Sequence, residues 1–149
     1  ATEIGTVVTA SIGNFISNAN MTGIPLILTA FFMCIIVTIV LPSPVQAWSI
    51  LSGVLVPVFM NAGLSAEFAQ LLFRASECVT YGLTPLMAYY VIYIAFLSKY
   101  SEDEKPISLI DSIKDIMPYG GVTALVWITV LVLLYVIGIP MGIGASAIL

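Results

Sequence analysis

Hydrophobic residues fill this chain so densely that its organisation shows mainly where the apolar runs stop. Ile24 to Leu41 is one uninterrupted apolar stretch, opening with Pro25 close to a helix start, where a missing N–H costs nothing. At about 1.5 Å per residue it is just long enough to cross a bilayer core. Pro42-Ser43-Pro44-Val45-Gln46 then puts two prolines into three residues and predicts a break. Ala47 to Met60 is apolar again, with Pro57 inside it, and Asn61-Ala62-Gly63 closes it. Ser65 has the chemistry of an N-cap for a helix over 66–80, which holds Glu67, Arg74 and Glu77. Tyr81-Gly82-Leu83-Thr84-Pro85 interrupts that helix and Leu86 to Leu97 resumes it, so 65–99 reads as one broken helix with its break at 81–85.

The remaining pattern is simpler. Ile4, Val8, Ile12, Phe15 and Ile16 recur at helical spacing with Thr9, Ser11, Asn14 and Ser17 between them, which makes 1–20 the end of an amphipathic or packed helix. Ser98 to Pro106 is the strongly polar loop. Over 107–116, Leu109, Ile110, Ile113 and Ile116 lie on one side and Asp111, Lys114 and Asp115 on the other, predicting a short helix at a membrane surface. Pro118 opens a last transmembrane helix over 118–138, ended by Gly138-Ile139-Pro140.

Composition turns this pattern into an environment. The chain is 60% hydrophobic and 8% charged, against about a quarter charged in ordinary soluble domains. No charged residue stands between Glu3 and Glu67 or after Asp115, so two long stretches can sit in hydrocarbon without an ionised group to desolvate. The reading is an all-α integral membrane protein whose first partner is the lipid bilayer; nucleic acid is not a partner. Three of the four basic residues, Lys99, Lys105 and Lys114, fall within 99–117, which places that loop on the cytoplasmic side. The chain has no histidine, which removes Ser-His-Asp and HExxH chemistry, and no enzyme activity is expected. Cys34 and Cys78 each stand alone in apolar runs, without metal-ligand spacing, and no disulfide or cofactor is expected. The start at Ala1, with neither initiator methionine nor leader pattern, reads as an internal point of a longer product.

Candidate chemistry concentrates at the two breaks and at one ion pair. Irregular backbone cannot face lipid, because its amides and carbonyls would be unsatisfied, so each break must face protein or water. Paired breaks of this kind form midplane sites in transporters; the alternative is an ordinary loop at 42–46 and a kink at 81–85. Arg74 and Glu77 are three residues apart on one helical face and can pair. At membrane depth such a pair is functional, and near the water boundary it is a structural ion pair. Ser76, Thr80 and Thr84 either offer hydroxyls to a hard cation or permit close helix packing. Trp48 either stacks on a planar substrate or anchors at the interface.

These residues carry a family resemblance. Pro57-Val58-Phe59-Met60, Phe73-Arg74-Ala75-Ser76-Glu77, Thr84-Pro85-Leu86-Met87-Ala88-Tyr89, Met117-Pro118-Tyr119 and Gly138-Ile139-Pro140-Met141-Gly142 resemble, in order and spacing, the C-terminal pattern of the AbgT family. The resemblance covers the chain from about residue 22. It implies half of an inverted-repeat transporter: a re-entrant helical hairpin over 24–61 with its tip at 42–46, a broken transmembrane helix over 65–99 and a final transmembrane helix. It also implies a homodimeric carrier of the bacterial inner membrane, multi-pass, moving p-aminobenzoyl-glutamate or sulfonamide-type drugs, with Na+ or H+ as coupling ion and an N-terminal half as partner. Family positions tied to transport fall on Trp48, Arg74, Glu77 and Pro85. Ser43, Val45, Thr80 and Thr84 are candidate ion or substrate positions at the breaks. Arg74 would meet a substrate carboxylate by a forked contact, and Glu77 would hold Arg74 or titrate with the coupling ion. The chain departs from the family pattern at Glu77 (usually Asp), Val45 (Ser), Tyr81 (Asn) and Ala66 (Pro).

A competing reading is a structural or regulatory membrane subunit that packs on partner helices; an ion channel is disfavoured for want of a filter motif. Topology separates two folds of the same pattern. A hairpin plus one broken span leaves residue 20 outside, whereas full spans throughout 24–99 return it to the side of Lys99. A cysteine at Asn20, in a background lacking Cys34 and Cys78, is therefore expected to react with an impermeant thiol reagent from outside; labelling only from inside contradicts the hairpin.

Overall fold

A computed structural model describes residues 23–41, 43–85, 88–100 and 109–138. Five helices make up these residues: α1 Ile24–Val40, α2 Pro44–Asn61, α3 Ala66–Thr80, α4 Ala88–Tyr100 and α5 Leu109–Ile137. The helix expected over 1–20, the Asn20 probe position, the centre of the polar loop and the tail beyond Gly138 lie outside the described residues.

The helix ends obey local chemistry. Ser43 is extended, as the residue before a proline prefers, and Pro44 occupies the first turn of α2, where its ring needs no donor. Pro44, Val45 and Gln46 are therefore helical, although two prolines suggested a break over 42–46. Pro57 does not end α2, which continues to Asn61; the proline leaves only the carbonyl of Gly53 without its i+4 donor. α2 closes in a Schellman turn in which Gly63 takes φ +78°, Gly63 N–H donates to Met60 O at 3.0 Å and Leu64 N–H donates to Phe59 O at 2.9 Å. Ser65 Oγ accepts from Phe68 N–H at 3.2 Å and caps α3.

One expectation is corrected. The separate surface helix over 107–116 and the helix opening at Pro118 are a single helix, α5, of 29 residues with Pro118 inside it. The apolar residues of 109–116 share the helical period of residues 117–137. Pro118 removes only the donor to Lys114 O, and Lys114 lies on an exposed turn where that carbonyl can find another partner.

Length decides what each helix can do in a bilayer. At about 1.5 Å per residue, α5 spans about 44 Å and crosses a core of about 30 Å with margin. α1, with 17 residues, and α2, with 18, reach about 26 and 27 Å, at or below that thickness. α3 and α4, with 15 and 13 residues, are each too short to cross and together are long enough for one crossing.

The amphipathic α3 sits in the middle, packed on α1, α2 and α5. Its face of Phe68, Ala69, Leu72, Phe73, Ala75 and Val79 is buried with Leu26, Ile27, Ala30, Phe31 and Cys34 of α1 and Leu51, Leu55 and Phe59 of α2. Cys34 is buried, Cys78 is exposed and both are free thiols. α1 and α3 run parallel, since Thr38 meets Thr80 and, beyond it, Thr84 meets Ile39. α5 runs the other way, with Tyr135 beside Gly23 and Gly120 beside Leu83. The exposed surface of α4 and α5 is apolar, including Val91, Ile92, Phe96, Val122, Leu125, Val126 and Leu133, a surface suited to lipid rather than water.

Gly120 lets the second break approach α5. A Cβ there would lie 3.0–3.2 Å from three carbons of Leu83, whereas a Cβ at the neighbouring Gly121 would meet nothing within 4 Å. Gly120→Leu is expected to lower the melting temperature of the detergent-solubilised protein through overpacking of about 1–3 kcal/mol. Gly121→Leu gains the same helix propensity without the clash, so it should leave the melting temperature unchanged or raised.

Candidate functional site

The candidate site is built where α1, α2 and α3 end or begin. The C-terminus of α1, the N-terminus of α2 and the C-terminus of α3 converge, because Thr84 at the second break donates to Ile39 O in the last turn of α1 at 3.3 Å. Helix ends of both signs are thus brought together: carbonyl ends from α1 and α3, and an amide end from α2. Ser43 at the head of α2 makes no side-chain cap, so the amides of Val45 and Gln46 in that first turn are not taken by it.

One turn below lies the ion pair. Arg74 Nη1 donates to Glu77 Oε2 at 2.7 Å. The two side chains differ sharply in burial, 50% exposed for Arg74 and 3% for Glu77. Glu77 is fixed by the α3 core while the guanidinium reaches out of it. Among the described residues Glu77 Oε1 is buried without a hydrogen-bond partner, and a buried carboxylate oxygen left so is costly unless something binds it. Tyr81, one turn along the same face, places its phenol near the Glu77 carboxylate.

Trp48 joins this pair through an intermediary that the sequence did not single out. Its ring lies 5.1 Å from that of Phe73, tilted by 42°. The guanidinium carbon of Arg74 lies 5.8 Å from the same Phe73 ring, within range of a cation–π contact. Phe73 is fully buried, so Trp48 and Arg74 are spaced by a rigid aromatic wall.

The hydroxyls are otherwise employed than as free ligands. Thr80 and Thr84 are 0% and 1% exposed. Thr80 Oγ1 lies 2.9 Å from Thr38 Oγ1 and 2.9 Å from Ser76 O. Ser76 Oγ donates to Phe73 O at 2.6 Å. Thr38 was not expected at the site, although it is one of only two hydroxyl residues in the otherwise apolar α1, and that rarity was its signal.

The structure therefore brings together Trp48, Arg74 and Glu77 around Phe73, and Thr80 and Thr84 at the end of α1. Val45 and Pro85 are exposed at the two breaks and Ser43 is half-buried between α1 and α2. Among the described residues no hydrogen bond or ion pair links these three to the Arg74–Glu77 pair. The described residues also hold no group of three or more His, Cys, Asp or Glu able to bind a metal.

The sequence model of the AbgT putative transporter family matches residues 1–149. The chain belongs to the AbgT family. It is 29% identical over 146 residues to the p-aminobenzoyl-glutamate transport protein of Escherichia coli (strain K12), covering 95% of this chain and 27% of that protein. Its fold is similar to the crystal structure of the YdaH transporter of Alcanivorax borkumensis, with a TM-score of 0.76 at 25% identity over 94% of this chain and 29% of that one. This AbgT chain thus spans between a quarter and a third of the length of each of these relatives. It is an all-helical transmembrane protein of a transporter family, in agreement with the charge-free runs of its sequence.

The ion pair of this AbgT chain makes a stability prediction. Arg74→Ala leaves Glu77 buried and unpaired, and should lower the melting temperature by an amount equivalent to about 1–3 kcal/mol. Arg74→Ala combined with Glu77→Leu removes both partners and should recover most of that loss. A double variant as unstable as the single one contradicts the burial of Glu77 as its cause.

Proposed function

We propose that this chain forms one half of the substrate pathway of a secondary transporter in a bacterial inner membrane, carrying p-aminobenzoyl-glutamate or a related anionic aromatic conjugate coupled to a cation gradient. The observation that supports it best is the half-exposed Arg74 held by a buried Glu77, with Trp48 against the same Phe73 ring as Arg74. A carboxylate substrate needs a guanidinium that is fixed yet reachable, and an aromatic substrate needs a flat apolar neighbour. Trp48, backed by the buried Phe73, supplies the second and Arg74 the first. A glutamyl and a p-aminobenzoyl group joined in one molecule match that combination, and the E. coli relative is named as a transport protein for such a molecule.

The same reading gives the helix ends a role. In transporters, half-helix N-termini face anionic groups, and unwound carbonyls with half-helix C-termini face the coupling cation. Here the uncapped head of α2, at Ser43 and Val45, is placed for the anion. The ends of α1 and α3, near Thr80 and Thr84, are placed for Na+, or Glu77 Oε1 for H+. Pro85 keeps the second break open by refusing to continue α3. Sulfonamides share the p-aminobenzoyl-like ring but lack the glutamyl carboxylates, so on this reading they engage Trp48 without Arg74. The inverted-repeat architecture supplies the other half of the pathway from an N-terminal partner segment, and dimerisation supplies a scaffold against which it moves. The lysine-rich segment around Lys99 and Lys114 faces the cytoplasm.

In the transporter containing this chain, reconstituted in proteoliposomes under an imposed cation gradient, Arg74→Ala and Glu77→Ala should each reduce p-aminobenzoyl-glutamate flux by at least about a hundred-fold while membrane insertion is retained. Trp48→Ala should chiefly raise the half-saturating concentration, by about ten-fold, as expected for a stacking contact of about 1.4 kcal/mol. Unchanged flux in both Arg74→Ala and Glu77→Ala removes the pair from the site.

A further inference from the structure

Two threonines outside the ion pair align the breaks that the proposed site depends on. Along the parallel contact of α1 and α3, the Cys34 thiol lies beside Ser76, Thr38 Oγ1 lies 2.9 Å from Thr80 Oγ1, and Thr84 Oγ1 donates to Ile39 O at 3.3 Å. The first two pairs are each 42 residues apart, so the two helices meet in register. The polar groups recur every four residues, at 34 and 38 on α1 and at 76 and 80 on α3, which lines them up along one seam that Thr84 extends into the second break. The seam ends in the last turn before both breaks.

A proton count shows what the hydroxyl pair can do. Thr38 Oγ1 has Cys34 O at 2.7 Å as an acceptor on its own helix, and Thr80 Oγ1 has Ser76 O at 2.9 Å. Two hydroxyls carry two protons, while each has its own helix carbonyls within reach, Ile35 O at 3.1 Å and Glu77 O at 3.2 Å besides these two, and the opposite oxygen as well. In two arrangements one hydroxyl donates across to the other and the second donates back to a carbonyl of its own helix. The link between α1 and α3 can thus form in either direction, and neither direction leaves a hydroxyl unsatisfied. With Thr38 4% and Thr80 0% exposed, the pair is sealed from solvent competition, and in a surrounding of low dielectric it is stronger than it would be in water.

We propose that Thr38 and Thr80 act as positioning residues: their buried hydroxyl bond holds the end of α1 in register with the end of α3, so that the two helix breaks face each other across one site. This rests on the transport reading above and assigns the register of the site to a contact between two helices, apart from the Arg74–Glu77 pair. To the close-packed apolar core the hydroxyl pair adds a directional contact that favours one register over its neighbours. Slippage along the seam would move the carbonyl end of α1 relative to α3, and a displacement of about 1 Å in such a site costs about a hundred-fold in rate.

The test uses p-aminobenzoyl-glutamate flux through the reconstituted transporter, with the melting temperature measured on the same preparations. Thr38→Val with Thr80→Val preserves side-chain shape and leaves no polar group unpaired, so the fold should survive. The expected result is an unchanged melting temperature with the half-saturating concentration raised, or the maximal flux lowered, by at least about ten-fold. Thr38→Ser keeps the hydroxyl and should stay within about two-fold of the unaltered protein. Wild-type kinetics in the double valine variant overturn the proposal, as does a Thr38→Ser defect equal to that of valine. A flux loss that merely tracks a fall in melting temperature also overturns it, since the pair is then structural. If the double variant fails to insert, Thr38→Val alone decides by the same readings, because Thr80 retains Ser76 O. Flux that survives Arg74→Ala defeats the site reading itself; flux lost in Arg74→Ala and kept in the double valine variant defeats only the positioning role.

Discussion

Between α1 and α3, small and hydroxyl side chains let two backbones approach closely, and the other elements depend on that approach. Lipid offers helices no hydrophobic reason to associate, so close packing and buried polar contacts must hold them. Ala30, Cys34 and Thr38 on α1 and Ser76 and Thr80 on α3 are small enough for the first and polar enough, in part, for the second. Because the contact is parallel, both helices finish at the same level. The breaks just beyond their ends are then neighbours, and the Thr84 hydroxyl of the second donates to the Ile39 carbonyl in the last turn of α1.

The ion pair uses the platform so formed. Arg74 and Glu77 stand on α3, the helix packed on three others, and Glu77 points into the packing while Arg74 points out of it. A carboxylate with one oxygen satisfied and the other unpaired is an unstable arrangement unless ligand, ion or proton completes it. The burial of Phe73, Leu72 and Ala75 on the same helix offsets that cost.

Membership of the AbgT family and the short span of this chain against its relatives fit one picture. Trp48 and Arg74 each lie against the Phe73 ring, and both remain partly open to their surroundings. A pathway that closes needs a second wall, and an inverted repeat supplies one by symmetry.

The sequence by itself determined the environment and the fold class. Charge-free apolar runs admit only helices in a bilayer, and prolines and glycines must stop them, since both effects are local and need no knowledge of neighbours. It also exposed Arg74 and Glu77, because charge in an apolar segment is conspicuous at a glance. Only the tertiary structure decided that α5 runs unbroken through Pro118, that Phe73 stands between Trp48 and Arg74, and that Thr38 bonds Thr80 across 42 residues. A proline's effect depends on whether the orphaned carbonyl has another partner, and a threonine's on what faces it. The register between two helices is a property of neither sequence segment alone.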